Sequence, residues 1–390
     1  MHNAFSARRN HGFSLVELMV SVVVGLLAIM FATKMIVNVE RNKQAALGGS
    51  DSMQNGMLAM FSMNADAAAA GWGLNDASAM GCDTVFSDTQ GFALAPATRG
   101  TATIHPMAPV VIESNGSAPD RITFYAGTHM SGSGALRVVS DYSSGTRIDV
   151  DRVPYGFRAD DVILVAPDTA GTTQCALAQI SSVSSPTAAQ QSVWIASGGT
   201  NRLNSGALGA SFKSNSARAF NLGPVTKLGF HTWSVSGGFL QLRSTDLAGS
   251  SLTPSTVVDN IVSVKAEYGF DLAPGQLTTG STLQIGQWST TMINADGIGT
   301  GGEAEDYRHI AAVRIAVVAR SKNPEQPAPG GACTATTTRP TVFASAAPST
   351  VAAVPITVDV AVAGDPVDWK CYRYRVFETI VPLRNLAWRP

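Results

Sequence analysis

Gly12-Phe13-Ser14-Leu15-Val16-Glu17, followed at once by the apolar run Leu18 to Ala32, decides how this chain folds and where it goes. From Phe13 to Ala32 there are about 20 residues, which at 1.5 Å rise each span roughly 30 Å as a helix, the thickness of a bilayer hydrocarbon core. Glu17 is the anomaly. A carboxylate inside a membrane-spanning helix costs about 2.5–3.5 kcal/mol on insertion scales, so it persists where something else gains from it. Ahead of the span, Met1 to Gly12 is short, polar and carries Arg8 and Arg9, a leader that the positive-inside rule keeps in the cytoplasm while the rest is sent out. No Ala-x-Ala lies just beyond Ala32 to mark cleavage behind the apolar core, so the natural cut lies before the span, after Gly12.

A basic leader, a glycine and then Phe-Ser-Leu-Val-Glu-Leu-Met resembles the type III signal of type IV pilins and pseudopilins. The resemblance implies that a prepilin peptidase cuts between Gly12 and Phe13 and that the new Phe13 amine is methylated. It also implies that Glu17 is the acid this family keeps in the span. A buried carboxylate is stabilised by a cation, and the freed Phe13 amine of a neighbouring subunit lies at the right depth, so Glu17 would set subunit register. The anchored chain would sit in the bacterial inner membrane through 13–32, with its head in the periplasm, before passing to a pilus or the cell surface.

The remainder of the 390 residues is long enough for a substantial core. A net charge of −1 and 14% charged residues argue against a dedicated nucleic-acid binder, which would show a basic excess. Cys82, Cys175, Cys333 and Cys371 are widely separated, with no Cys-x-x-Cys and no histidines at metal-ligand spacing. On an exported chain they read as two disulfides. Three pairings are open, and Cys82 with Cys175 and Cys333 with Cys371 is favoured because each would tie a loop to a nearby strand.

The first proline is Pro96, so none interrupts a helix running from Phe13 through the membrane and beyond. Gly48-Gly49-Ser50 weakens it at mid-length, as a kink or a stretch that melts on assembly. Met53, Met57, Met60, Phe61, Asn64, Ala65 and Ala68 recur at spacings of three and four, a stripe expected to pack on a sheet. Gly71-Trp72-Gly73 supplies a left-handed stop, giving a helix of about 58 residues, roughly 85 Å. After Leu74 the pattern turns to short β runs between Gly, Ser, Asn and Pro clusters. Expected strands are 121–125, 136–140, 162–165, 175–183, 193–196, 225–234, 239–243, 262–270, 310–320, 357–362 and 371–380. In the last, Tyr372, Tyr374 and Val376 alternate with Arg373, Arg375 and Phe377, as on a half-buried strand. The Pro-, Ala-, Thr- and Gly-rich stretch 323–354 reads as a long surface loop pinned by Cys333.

Several segments narrow the resemblance. Asp66 to Gly73 followed by Gly81-Cys82, Tyr268-Gly269-Phe270-Asp271, Val313 to Ser321, and Phe377-Glu378-Thr379-Ile380-Val381-Pro382-Leu383-Arg384-Asn385-Leu386 are similar to landmarks of PilW-type minor pilins. Where that family often places an arginine two residues after the acid at Asp66, this chain has Ala68. The resemblance implies an α+β, type IV pilin-like fold: a cleaved leader (1–12), a long helix (13–71) and a large antiparallel β-rich head (72–390). It implies a non-enzymatic minor pilin, without cofactor, that primes pilus assembly and enters at or near the tip. Its partners would be the prepilin peptidase, other minor pilins, the major pilin and the inner-membrane assembly platform. Alternatives are a J-type pseudopilin of type II secretion, or a tip adhesin or DNA-uptake module.

Other motifs carry less. Gly297 to Gly302 has dinucleotide-loop spacing, but Glu303, Glu305 and Asp306 follow and would repel phosphates. With Asp296 these acids lack EF-hand alternation, so Ca²⁺ is not expected. His105, His129, His231 and His309 stand apart from obvious partners, and Gly-x-Ser-x-Gly and His-Glu-x-x-His are missing. Lys370, Arg373, Arg375, Arg384 and Arg389 make the end basic, which one solvated strand face explains without DNA.

Overall fold

The structure, a computed structural model, describes residues 14–74, 76–128, 134–195, 201–203, 206–272, 284–327 and 331–387, with backbone alone at 38, 41, 42, 44–47, 386 and 387. The chain divides into two compact units, Met1–Ser50 and Asp51–Pro390. A single α-helix, Leu15–Ala69, begins in the first and ends in the second.

In the first unit, Leu15–Val37 is long and apolar enough to cross a membrane, extending past Ala32 because Met35, Ile36 and Val37 prolong the apolar run around the single Lys34. Gly48, Gly49 and Ser50 remain helical. Two glycines cost helix propensity, but flanking turns that are already formed carry the hydrogen-bond ladder through them.

The second unit holds the last turns of the helix and a β-rich head of three larger sheets. An eight-stranded sheet is built around Cys175–Val183, Asp161–Pro167 and Ala217–Pro224. A five-stranded sheet runs Ser255–Asp259, Phe239–Ser244, Gly229–Ser236, Arg121–Ala126, Val110–Glu113. A four-stranded sheet runs Gln287–Ser289, Ile261–Phe270, Ile310–Arg320, Tyr374–Pro382. Strand pairing is antiparallel except where Cys82–Val85 runs parallel to Cys175–Val183. The main core lies where the four- and five-stranded sheets meet the helix, and includes Ala59, Met63, Ala67, Ala70, Phe230, Trp233, Tyr268, Val313 and Val381.

Four expectations need correction. The helix stripe that packs inward is Ser52, Gly56, Ala59, Met63, Ala67 and Ala70, whereas Met53, Met57, Phe61, Asn64, Ala65 and Ala68 face out. Small residues win the inner face because they let the backbone come close to the sheet. The segment 323–354 is not simply a surface loop: Thr341–Val342 pairs with Ile356–Thr357, and Val342, Phe343, Val358 and Val360 bury against Val262, Ala316 and Val318 on the outer face of the four-stranded sheet. That cover also means that Tyr374–Pro382 packs on both faces, with Phe377 and Val381 toward the main core and Tyr374 toward the cover. Finally, Val225–Lys227 is a 3-10 turn set off by Pro224, and the expected strands at 357–362 and 136–140 shrink to Ile356–Thr357 and Leu136–Arg137.

Candidate assembly surface

Of the residues singled out from sequence, Gly12 and Phe13 lie outside the described residues. Glu17 sits in the first turn of the helix with its side chain exposed. Cys82 is bonded to Cys175 and Cys333 to Cys371. The first bridge joins the starts of two adjacent strands rather than a loop and a strand. The second ties the cover to the 3-10 turn Trp369–Cys371 just before the last strand.

Three contacts seat the helix on the head. First, a Cβ added to Gly56 would overlap the Phe377 ring, so the glycine lets the ring pack directly against the helix backbone. Second, Asp66 reaches the five-stranded sheet, where its Oδ2 accepts from Trp233 Nε1 at 2.7 Å and pairs with His231 Nδ1 at 2.9 Å. The other ring nitrogen of His231 lies 2.9 Å from Asp246 Oδ1. Burial alone would lower the His231 pKa, but hydrogen bonds and charge from Asp246 and Asp66 outweigh it and raise it to about 10. His231 is therefore a cation between two carboxylates, and Asp66 finds on a strand the positive charge that Ala68 does not supply. Third, the helix C-terminus is closed by Asn385, whose Nδ2 donates to the carbonyls of Ala68, Ala69 and Ala70 at 3.4, 3.2 and 2.9 Å. Gly71 turns the chain away with φ +82° and donates its N–H to Tyr125 O.

Sequence reasoning named several of these residues and missed the contacts between them. The partners of Asp66 and His231 are 165 positions apart, and nothing local marks them. Gly56 did carry a signal, a glycine inside an otherwise well-formed helix, which points to close backbone approach.

The outer face of the four-stranded sheet is held differently. Lys265 and Asp120 are fully buried and paired, and Lys265 Nζ also donates to Ala118 O at 3.1 Å. Arg314 Nη2 binds Glu378 Oε2 at 2.7 Å, Arg314 Nη1 donates to Ser345 O, and the guanidinium lies 4.8 Å over the Phe343 ring. Between these pairs Glu267 is buried with neither carboxyl oxygen hydrogen-bonded. Burial pushes its pKa up, Arg314 pulls it partly back, and Glu378 and Asp120 push it further, leaving it at about 7.

The glycine loop is self-contained. Asp306 accepts N–H groups from Ala295, Asp296, Gly302 and Glu303, so the amides that could cradle a phosphate are occupied by the loop's own carboxylate. The helix flank is a run of uncovered apolar side chains on the head: Phe61 is 73% exposed, Met57 56% and Met53 43%, with Leu58 beside them. Apolar side chains so placed mark a contact surface rather than a finished exterior.

Residues 234–385 match the family described as type IV pilus-assembly protein W, and residues 7–33 match the prokaryotic N-terminal methylation motif. No curated protein and no solved structure matches the chain. The first match contains the whole four-stranded sheet with its cover and closes on Asn385, the residue that caps the helix. The second contains Glu17 and most of the apolar span. The two matches make the chain similar to PilW-type type IV pilins at its N-terminal helix and across the second half of its head.

Proposed function

We propose that this chain is a type IV pilin, a minor subunit that primes pilus assembly and enters the filament at or near its tip, acting by non-covalent co-assembly with other minor pilins and the major pilin. Prepilin peptidase cuts after Gly12, the Phe13 amine is methylated, and the chain waits in the inner membrane with its head in the periplasm, where an oxidising environment suits two disulfides. On assembly, Leu15–Val37 leaves lipid for the packed helices of neighbouring subunits at the assembly platform. Glu17 then pairs with the Phe13 amine of a neighbour and fixes axial register.

The observation that carries this reading is that the helix leaves large apolar side chains uncovered in two places, along the membrane-length stretch Leu15–Val37 and again at Met53, Met57 and Phe61 on the head. A membrane anchor alone needs only the first part. Substituting Glu17→Ala leaves membrane insertion intact or improved and lowers the number of pili; normal pilus number in that strain contradicts the register role. Deleting the chain abolishes twitching motility and leaves enzyme secretion unchanged, whereas the opposite pair of results points to a type II secretion pseudopilin.

A further inference from the structure

The four-stranded sheet ends on Tyr374–Pro382, a nine-residue edge strand. Leu383 N donates to Ala311 O and Ser321 N donates to Arg373 O, which fixes the phase of the ladder to Ile310–Arg320. Arg375, Phe377, Thr379 and Val381 spend their backbone groups on that neighbour. Tyr374, Val376, Glu378 and Ile380 point theirs away from it, and no described strand pairs with that side. Pro382, which has no N–H, falls in the outward phase, so it closes the edge without harming the sheet.

Both flanks of this edge are apolar. On the cover side Val376 and Ile380 are each 37% exposed. On the helix side Met53 Sδ lies 3.9 Å from Arg375, and Met57 and Phe61 follow Met53 at successive four-residue steps along the same flank. The opposite flank of the helix, carrying Asp66, faces the five-stranded sheet instead. A long edge with unpaired backbone groups and apolar residues on both sides is a template for another strand. Arg375 and Arg384 add positive charge beside it with no carboxylate partner among the described residues, while Arg373 is taken by Glu325.

The geometry points to strand addition: Tyr374–Pro382 accepts an extended, acidic segment of a different polypeptide as a fifth strand, which also covers Met57 and Phe61. A second copy of this chain fits poorly, because edge-to-edge pairing would bring two sets of unpaired arginines together. The identity of the donor as another pilus subunit rests on the co-assembly reading; the strand addition does not.

The test uses the full-length chain in detergent micelles and a synthetic nine-residue peptide of alternating valine and glutamate as the probe. Peptide binding slows amide hydrogen exchange at Val376, Glu378 and Ile380 by about tenfold or more, since these N–H groups gain acceptors. Val376→Pro removes one outward N–H without touching the inner ladder and abolishes that protection, whereas Val376→Thr keeps it. A lysine-for-glutamate peptide protects at least about tenfold less well. No protection by the acidic peptide, or equal protection in Val376→Pro, overturns the proposal. In parallel, wild-type and Val376→Pro chains are purified from pilus-forming cells. Loss of co-purifying subunits in the variant supports a subunit as donor. Co-purification unchanged by Val376→Pro removes the donor from the pilus while leaving a peptide-protected edge standing, and a wild-type chain that brings down no subunit contradicts the co-assembly reading alone.

Discussion

The two faces of the four-stranded sheet solve the same burial problem by opposite means. The helix face is closed by shape: Gly56 admits Phe377, and small residues at 52, 59, 67 and 70 bring the backbone down onto the sheet. The cover face is closed by charge: Lys265 with Asp120 and Arg314 with Glu378 sit beneath the irregular segment around Phe343, with Glu267 buried among them and unpaired. A helix presents a regular surface that can be matched by side-chain size. An irregular cover presents backbone carbonyls and amides, such as Ser345 O and Phe343 N, that need polar partners on the sheet. The contrast explains why the helix, rather than the cover, leaves its large apolar residues outside.

The largest way to break this comparison is at Gly56. Gly56→Val places carbon atoms inside the Phe377 ring's volume and costs about 3 kcal/mol or more, read by denaturant unfolding of the full chain in micelles. A loss within about 0.5 kcal/mol, the scale of an ordinary surface substitution, shows that the ring moves freely and the seam is not set by close approach.

Next is the ionic clamp beside it. His231→Gln costs about 2 kcal/mol near pH 6, where the imidazolium bridges Asp66 and Asp246. The folded pKa of about 10 lies above the unfolded value of about 6.5, so the contribution is complete below about pH 6.5 and is lost as pH rises through 10. The difference between wild type and variant therefore closes between pH 6.5 and 10.5; a constant difference means that His231 is not charged in the folded chain.

On the cover face the contribution is opposite, destabilising rather than stabilising, while the pH trend runs the same way. Glu267 ionises at about 7 when folded and at about 4.3 when unfolded, so it weakens the fold progressively as pH rises from about 4.3 to 7. Glu267→Gln removes that slope and gains roughly 1–3 kcal/mol at pH 8. A loss at pH 8 shows that the carboxylate has a stabilising partner.

The smallest effect on folding is expected on the flank that neither face covers. Met57→Ser with Phe61→Ser changes stability by less than about 0.5 kcal/mol because both side chains are mainly exposed, while assembly of pili is reduced.

Strong local patterns were readable in the chain. Cys175–Val183 and Ile310–Arg320 have the bounds that their apolar, β-branched runs indicate, because central strands buried on both faces need little from their neighbours to declare themselves. Ala217–Pro224 escaped notice: its alternation is blurred by Arg218 and Asn221, whose partners Asp168 and Asp161 lie just past the end and at the start of the neighbouring strand Asp161–Pro167. The inner stripe of the helix was misread because methionine and phenylalanine at helical spacing signal burial in a lone globular domain, and here they form an outer flank. The Lys265–Asp120 pair of the cover face and the Asp66–His231 contact join residues more than 140 positions apart, and Arg314 and Glu378 are 64 apart, all beyond the reach of any periodicity. The assembly surface was thus half legible. Its membrane-proximal part is a motif, and its head part exists only once the fold decides which side of the helix is closed.

The central claim is co-assembly, and its most direct measurement is the composition of what purifies with the full-length chain, extracted at native levels from membranes of pilus-forming cells. Other minor pilins are expected in near-equal amounts, reduced several-fold by Met57→Ser with Phe61→Ser at unchanged amounts of the chain itself. Recovery of the chain without pilus subunits, or undiminished recovery of them with the double variant, contradicts it.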